Sequence, residues 1–391
     1  MREQVSRRNF LSAVGGGTVL ERAGGYQNYM FSGDKLNSTP VDIDWSRQYT
    51  HDKLNRMTDV IQTSDDGYLF GGYTGDYGQR RAMLVKLSGN GTTDWVRTYQ
   101  RDGNDFVSGV IETDSGYLFA GGTSEDSDAS PKCWVVAVDE SGRRKWDRTY
   151  APEWNGFVYT VLRTDSGILL GTSSQHKDKG HRRAWLGSID PSGRLNWSKT
   201  YGDTQYVAVK TLREAPSEGY YLGGSKGEDF PNKRAWILRL DSSGQVIWNR
   251  TFSGDHQSII ESLLPVENGG FVFVGNIQYD DWRAWLVQGD DDGHVDWRQR
   301  YSGRSEWFWA YDVVRAEDDY LIVGTRELDT GEKRGGWVIR TSGDGRRCWQ
   351  HTYRPAKHGD ANTAVRTPNG SFVLGGRTGD SDQRAWAVQI S

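Results

Sequence analysis

The chain has 391 residues, 35% of them hydrophobic, and a net charge of −4, which speaks against a general nucleic-acid or acidic-membrane partner. Two cysteines, Cys133 and Cys348, exclude a disulfide framework and are expected to be buried free thiols. No stretch is apolar enough to span a membrane as a helix.

Residues 1–25 read as a targeting segment. Ser6-Arg7-Arg8-Asn9-Phe10-Leu11 resembles the twin-arginine export motif, and a short Gly-rich apolar run, Phe10–Leu20, follows it. Glu21 and Arg22 end that run, and no lipobox cysteine follows. The expectation is export to the outside or surface of the cell, without a lipid anchor. Residues 26–40 read as a polar linker, and residues 41–391 as one repetitive domain.

The repeat is clearest in Arg234–Phe252, RAWILRLDSSGQVIWNRTF, two apolar β-strands joined by a polar hairpin. Its outer tryptophan, Trp248, has counterparts at Trp45, Trp95, Trp146, Trp197, Trp297 and Trp349, spaced by 50, 51, 51, 51, 49 and 52 residues. Each is followed four residues later by Tyr or Phe. Three more signals share the period. An apolar pair such as Val60-Ile61 comes first, then a glycine-terminated strand such as YLFGG at Tyr68, then an aromatic strand with Met83, Trp134, Trp185, Trp236, Trp285, Trp337 and Trp386. A period near fifty, all of it β, means that one copy cannot bury its own apolar face.

Four short strands in seven copies predict an all-β fold, a seven-bladed β-propeller of four-stranded antiparallel blades. After the leader the chain starts on a fourth strand, Asp42–Tyr49, and it finishes on a third strand, Arg384–Ser391. The N-terminal strand is therefore expected to complete the last blade and close the ring, which leaves only short, protected sheet edges. The hairpins TSDDG, TDSG, DESG, DPSG and DSSG are short and uniform and are read as turns alone. The variable connections, after the second strand and between blades, all fall on one face, where binding usually resides.

The D-x-S-G-x-x-x-W-x-x-T-Y copies, preceded by AWLVKL-like strands, resemble the secreted prokaryotic seven-bladed propeller repeat family, over about nine-tenths of the chain. That resemblance implies fold and carries little function. Ala137–Trp146, AVDESGRRKW, is distantly similar to the tryptophan-docking motif of quinoprotein propellers. With no adjacent cysteine pair, this implies blade packing and no quinone; no cofactor is expected.

Thirteen of the 17 tryptophans belong to the repeat. Trp154, Trp282, Trp307 and Trp309 do not, and three of them fall at the start of innermost strands. The bland reading is local filling; the sharper one is a stacking platform for a sugar. Polar residues take the same place in other blades. The candidate ligand-binding set at the channel mouth is therefore Asn104, Asp105, Trp154, Asn155, Asp203, Gln205, His256, Glu306, Trp307, Trp309, His358 and Asp360. Asp290-Asp291-Asp292-Gly293-His294 is similar to part of a calcium loop but aligns with an ordinary hairpin, so no metal is expected. No nucleophile triad, zinc motif or phosphate loop is found.

These features favour an exported, non-catalytic monomer that binds a glycan, small molecule or surface protein on its variable-loop face. The alternatives are a glycan-acting enzyme with carboxylates at the channel mouth, and a protein-interaction scaffold. An enzyme should gather carboxylates of perturbed titration around one pocket.

Overall fold

The computed structural model describes residues 41–391, apart from 51–52, 77, 126–130, 151–153, 177–180, 203, 230, 254–255, 268, 303–306, 329–332, 354–357 and 380–381. The leader, the linker and the twin-arginine motif lie outside the described residues. So do Asp203 and Glu306.

Seven sheets of four antiparallel strands surround one axis. Blade one begins at Leu54–Gln62, blade two at Asn104–Thr113, blade three at Trp154–Thr164 and blade four at Tyr206–Glu214. Blade five begins at Ser258–Pro265, blade six at Phe308–Ala316 and blade seven at Gly359–Arg366. Each of these is the innermost strand of its blade, and each abuts the innermost strands on either side, so the ring is complete. Blade seven is made of both ends of the chain. Ile43–Tyr49 pairs antiparallel with Arg384–Ile390, from Ile43 opposite Ile390 to Tyr49 opposite Ala385.

The middle strands carry the core. Their small and β-branched residues pack between blades under the third-strand aromatics, and Trp134, Trp236 and Trp337 are fully buried. The hairpins do more than turn the chain. Trp45, Trp95, Trp146, Trp197, Trp248 and Trp297 each lie on the hairpin glycine of the next blade, namely Gly91, Gly142, Gly193, Gly244, Gly293 and Gly345. A Cβ on any of these glycines would sit 2.4–3.2 Å from the indole. Their φ angles, 76° to 82°, independently require glycine. The tyrosine four residues on caps the joint: Tyr99, Tyr150 and Tyr201 each donate to the carbonyl of Gly142, Gly193 and Gly244 at 2.7 Å. Trp, Tyr and Gly thus form one contact between consecutive blades, which explains why all three share the period.

Cys133 is buried as expected, but Cys348 is exposed, because it lies on the outer edge strand of blade six. Asp290–His294 is a hairpin: Gly293 N–H donates to the Asp290 carbonyl at 3.0 Å. Asp291 takes up the partners of blade four, accepting from Arg239 Nε at 3.0 Å while its carbonyl accepts Trp248 Nε1 at 2.7 Å.

Candidate functional site

Every innermost strand carries one extra residue at the same point. The register slips between Met57 and Asp59, Val107 and Gly109, Val158 and Thr160, Val209 and Thr211, Ile260 and Ser262, Ala310 and Asp312, and Ala361 and Thr363. The bulged residues are Thr58, Ser108, Tyr159, Lys210, Glu261, Tyr311 and Asn362. A bulge removes one residue from the ladder and re-aims its side chain. The residue before each bulge is fully buried between blades, whereas the bulged residues, Asn362 apart, are partly exposed around the axis.

These seven positions share the fifty-residue period but not a residue type, so the fold repeats while the channel chemistry does not. Lys210 of blade four reaches Glu261 of blade five at 3.1 Å and lies 5.5 Å from the Tyr159 ring of blade three. Burial works against the Lys210 charge, but Glu261 and Tyr159 outweigh it and hold its pKa up. Asn362 accepts from Arg56 at 2.5 Å and donates to the Met57 carbonyl at 3.0 Å. Arg56 also stands 5.9 Å from the Tyr311 ring, two blades away, so these groups face one another across the axis.

Next to the bulge, Asp59 and Asp312 brace the ring. Asp59 accepts from the backbone N–H of Val60 at 2.9 Å and, in the next blade, of Val110 at 2.8 Å. Asp312 does the same with Val313 at 2.9 Å and Ala364 at 3.0 Å. Burial pushes the Asp59 carboxyl up to about 6, with Asp312 adding to the rise and the backbone amides and Arg213 opposing it. Burial raises Asp312 as well. These are the perturbed carboxylates that an enzyme reading asks for, yet both oxygens of each are occupied by backbone amides.

One end of the channel is built from two further positions. One is the start of the innermost strand; the other is the residue two before the Ala or Gly that precedes the third-strand aromatic. The latter is Arg182, Lys233, Trp282 and Arg334 in blades three to six. Backbone contacts hold this position over the next blade: Arg182 N–H donates to the Gln205 carbonyl at 2.9 Å, and Ser258 N–H to the Lys233 carbonyl at 3.0 Å. Trp282 thereby meets Trp309 of blade six, with ring centres 4.8 Å apart, and Trp309 meets Trp307 at 6.3 Å. Arg334 lies 4.9 Å from the Trp307 ring. All three indoles are partly exposed. Across the mouth, Phe106, Phe157 and Tyr159 form a second aromatic run, with centres at 4.9 and 4.2 Å.

Of the residues proposed from sequence, Trp307, Trp309 and His358 are brought together at this mouth, while Asp360 is buried. His358 bridges to Arg334, and Asp360 accepts from Arg377 at 2.6 Å and Thr325 at 2.9 Å. Asn104 lies at the start of its strand and donates to Ser124 at 3.3 Å. Asp105 does not join them: it is fully buried and accepts the Arg101 N–H at 2.9 Å and the Thr123 hydroxyl, tying its own loop. Gln205 and His256 are exposed above the rim, His256 against Tyr279 at 4.0 Å. The backbones of Trp154 and Asn155 open the blade-three strand, but their side chains lie outside the described residues. Sequence reasoning missed Lys210, Glu261, Tyr159, Arg182 and Lys233. The signal for them was present, a position of fixed period and unfixed residue.

No protein-family model and no curated protein matches the chain. Solved structures do. Puromycin hydrolase superposes with a TM-score of 0.52 at 12% identity over 83% of this chain, which spans half of that protein. Polysaccharide lyase Uly1 gives 0.51 at 11% identity, covering 93% of both chains. Sqt1 of Chaetomium thermophilum, bound to the N-terminus of ribosomal protein L10, gives 0.51 at 12% identity over 88% of this chain and 98% of its own. At such identities the likeness is one of fold.

Proposed function

We propose that this propeller is an exported binding protein that holds a glycan against Trp282, Trp307 and Trp309 at the mouth of its channel. The observation that carries the reading is the shelf itself. Three tryptophans that the repeat does not require come from two blades and leave indole surface open to solvent. Flat aromatic faces beside hydrogen-bonding groups suit the apolar face and hydroxyl rim of a sugar ring. The polysaccharide lyase Uly1, similar in fold over 93% of both chains, is in keeping with such a ligand.

A glycan array on the purified protein, followed by titration of Trp307→Ala and Trp309→Ala, tests this. Each stacking contact contributes about 1 kcal/mol, so affinity should fall roughly five-fold per substitution while the melting temperature moves by only a few degrees. If these variants lose as much thermal stability as Trp248→Ala, the indoles are packing and the reading is wrong.

A further inference from the structure

We propose, building on that reading, that the ligand carries an oxyanion, a carboxylate or sulfate, and that Arg56 and Arg377 hold it on the rim beside the tryptophan shelf. Arg377 pairs with Asp360 across blade seven. Its Nε donates to Asp360 Oδ2 at 2.6 Å, and Arg56 Nη2 of blade one reaches the same oxygen at 3.9 Å. Asp360 Oδ1 accepts the Thr325 hydroxyl at 2.9 Å. Among the described residues, Asp360 is the one carboxylate within ion-pair distance of either arginine, and it is only 3% exposed. Two guanidiniums therefore share one buried carboxylate, which leaves one positive charge over at this seam. Both arginine side chains remain open to solvent, Arg56 at 25% and Arg377 at 30%. Their other hydrogen-bond partners are neutral: Asn362 at 2.5 Å and Tyr73 for Arg56, and Gln383 at 3.2 Å for Arg377. A guanidinium carries five N–H donors, so each arginine keeps donors for an incoming anion.

The surroundings suit an oxyanion on a sugar better than a free small anion. Trp309 in blade six, Asp360 in blade seven and Arg56 in blade one each stand two residues before the bulge of their strand, so Asp360 lies between the other two around the ring. Tyr311, two residues on from Trp309, brings its ring to 5.9 Å from the Arg56 guanidinium. Thr325, which bonds Asp360, is the ladder partner of Trp309. The arginine pair and the shelf are thus adjoining parts of one surface. A sugar stacked on Trp309 carries its acidic substituent to the guanidiniums, whose planar forks match two oxygens of a carboxylate or sulfate.

The test uses three probes on the full chain: tetragalacturonate, the same oligomer with its carboxyls reduced to neutral galactose, and a heparin tetrasaccharide. At least one acidic oligomer should bind roughly ten-fold more tightly than the neutral one, the carboxylate and sulfate arms telling which group is preferred. Arg56→Gln, which can still donate to Asn362, should remove most of that preference and leave affinity for the neutral oligomer unchanged. Arg56→Lys should restore only part of it, since the charge returns without the planar fork. Arg182→Gln removes a cation of the same mouth on blade three and should leave the preference as it is. An equal loss from Arg182→Gln would mean a general field in place of this site and would overturn the proposal. Equal affinity for acidic and neutral oligomers, weakened alike by Trp309→Ala, would leave the shelf reading intact and overturn this one. Binding of none of the three would overturn both.

Discussion

Asp59 makes the clearest prediction at the scale of a single residue. Its carboxyl is raised from the usual range to about 6 by burial, yet it accepts two backbone N–H bonds, one from Val60 on its own strand and one from Val110 that joins blades one and two. In the unfolded chain the same group ionises near pH 4. Between about pH 4 and 6 the unfolded chain therefore releases a proton that the folded one keeps. Stability from this group is fully present below that window and lost as pH rises through it. Two units correspond to roughly 3 kcal/mol as an upper bound. Asp59→Asn forfeits one acceptor, costing about 1 kcal/mol at pH 4. The variant should then gain on the wild type as pH rises, catching or passing it by pH 7. Parallel melting-temperature curves for the two proteins from pH 4 to 7 would show that the shift is absent.

At the scale of the element, the strand Ile43–Tyr49 is the outer strand of blade seven, and Trp45 Nε1 donates to Gln389 at 2.5 Å across the joint. Deleting residues 1–50 removes this strand together with the indole that rests on Gly91. It should lower the melting temperature sharply and expose the ladder of Arg384–Ile390. Deleting 1–38 should change little. A normal transition in the longer deletion would mean that the ring does not depend on its closing strand. This closure was legible in the sequence, because Trp45 and Tyr49 are fourth-strand residues and Trp386 is a third-strand residue. The inter-blade joint was half legible: the period of Trp and Gly was plain, but a D-x-S-G turn looks the same whether or not an indole sits on it. The bulge was not legible. Thr58, Ser108, Tyr159, Lys210, Glu261, Tyr311 and Asn362 share no chemistry, and a one-residue change of facing follows from backbone register, which composition does not reveal. For the same reason Asp105 was expected at the rim with Asn104, although alternate residues of a strand face opposite ways.

At the scale of the whole molecule, the described residues make one closed ring with no helix long and apolar enough to cross a membrane. Export remains a proposal carried by Arg7 and Arg8. Replacing both with Lys should retain the protein in the cytoplasm, as read by fractionation; unchanged secretion would make the arginine pair accidental. A seven-fold scaffold must also explain how a symmetric ring offers an asymmetric site. Packing residues recur in every blade, whereas Trp282, Trp307 and Trp309 fall in blades five and six and the cations Arg182, Lys210 and Lys233 in blades three and four. The lining of the mouth therefore differs from blade to blade, with indoles on blades five and six and smaller aromatics and cations on blades three and four.

The bulge separates two kinds of inheritance. Ser108, Tyr159, Lys210, Glu261 and Tyr311 stand outside both the strand ladder and the fully buried layer between blades. Exchanging one of them rewrites a single letter of the channel while the spelling of the fold stays the same. Thr58 and Asn362 are the exceptions, since both are hydrogen-bonded to carbonyls of neighbouring blades, Val107 and Met57. Ser108 and Tyr311 can thus change singly, whereas Lys210 and Glu261, paired at 3.1 Å between blades four and five, can change only together. A lineage built on this repeat can change what it recognises without renegotiating how it folds.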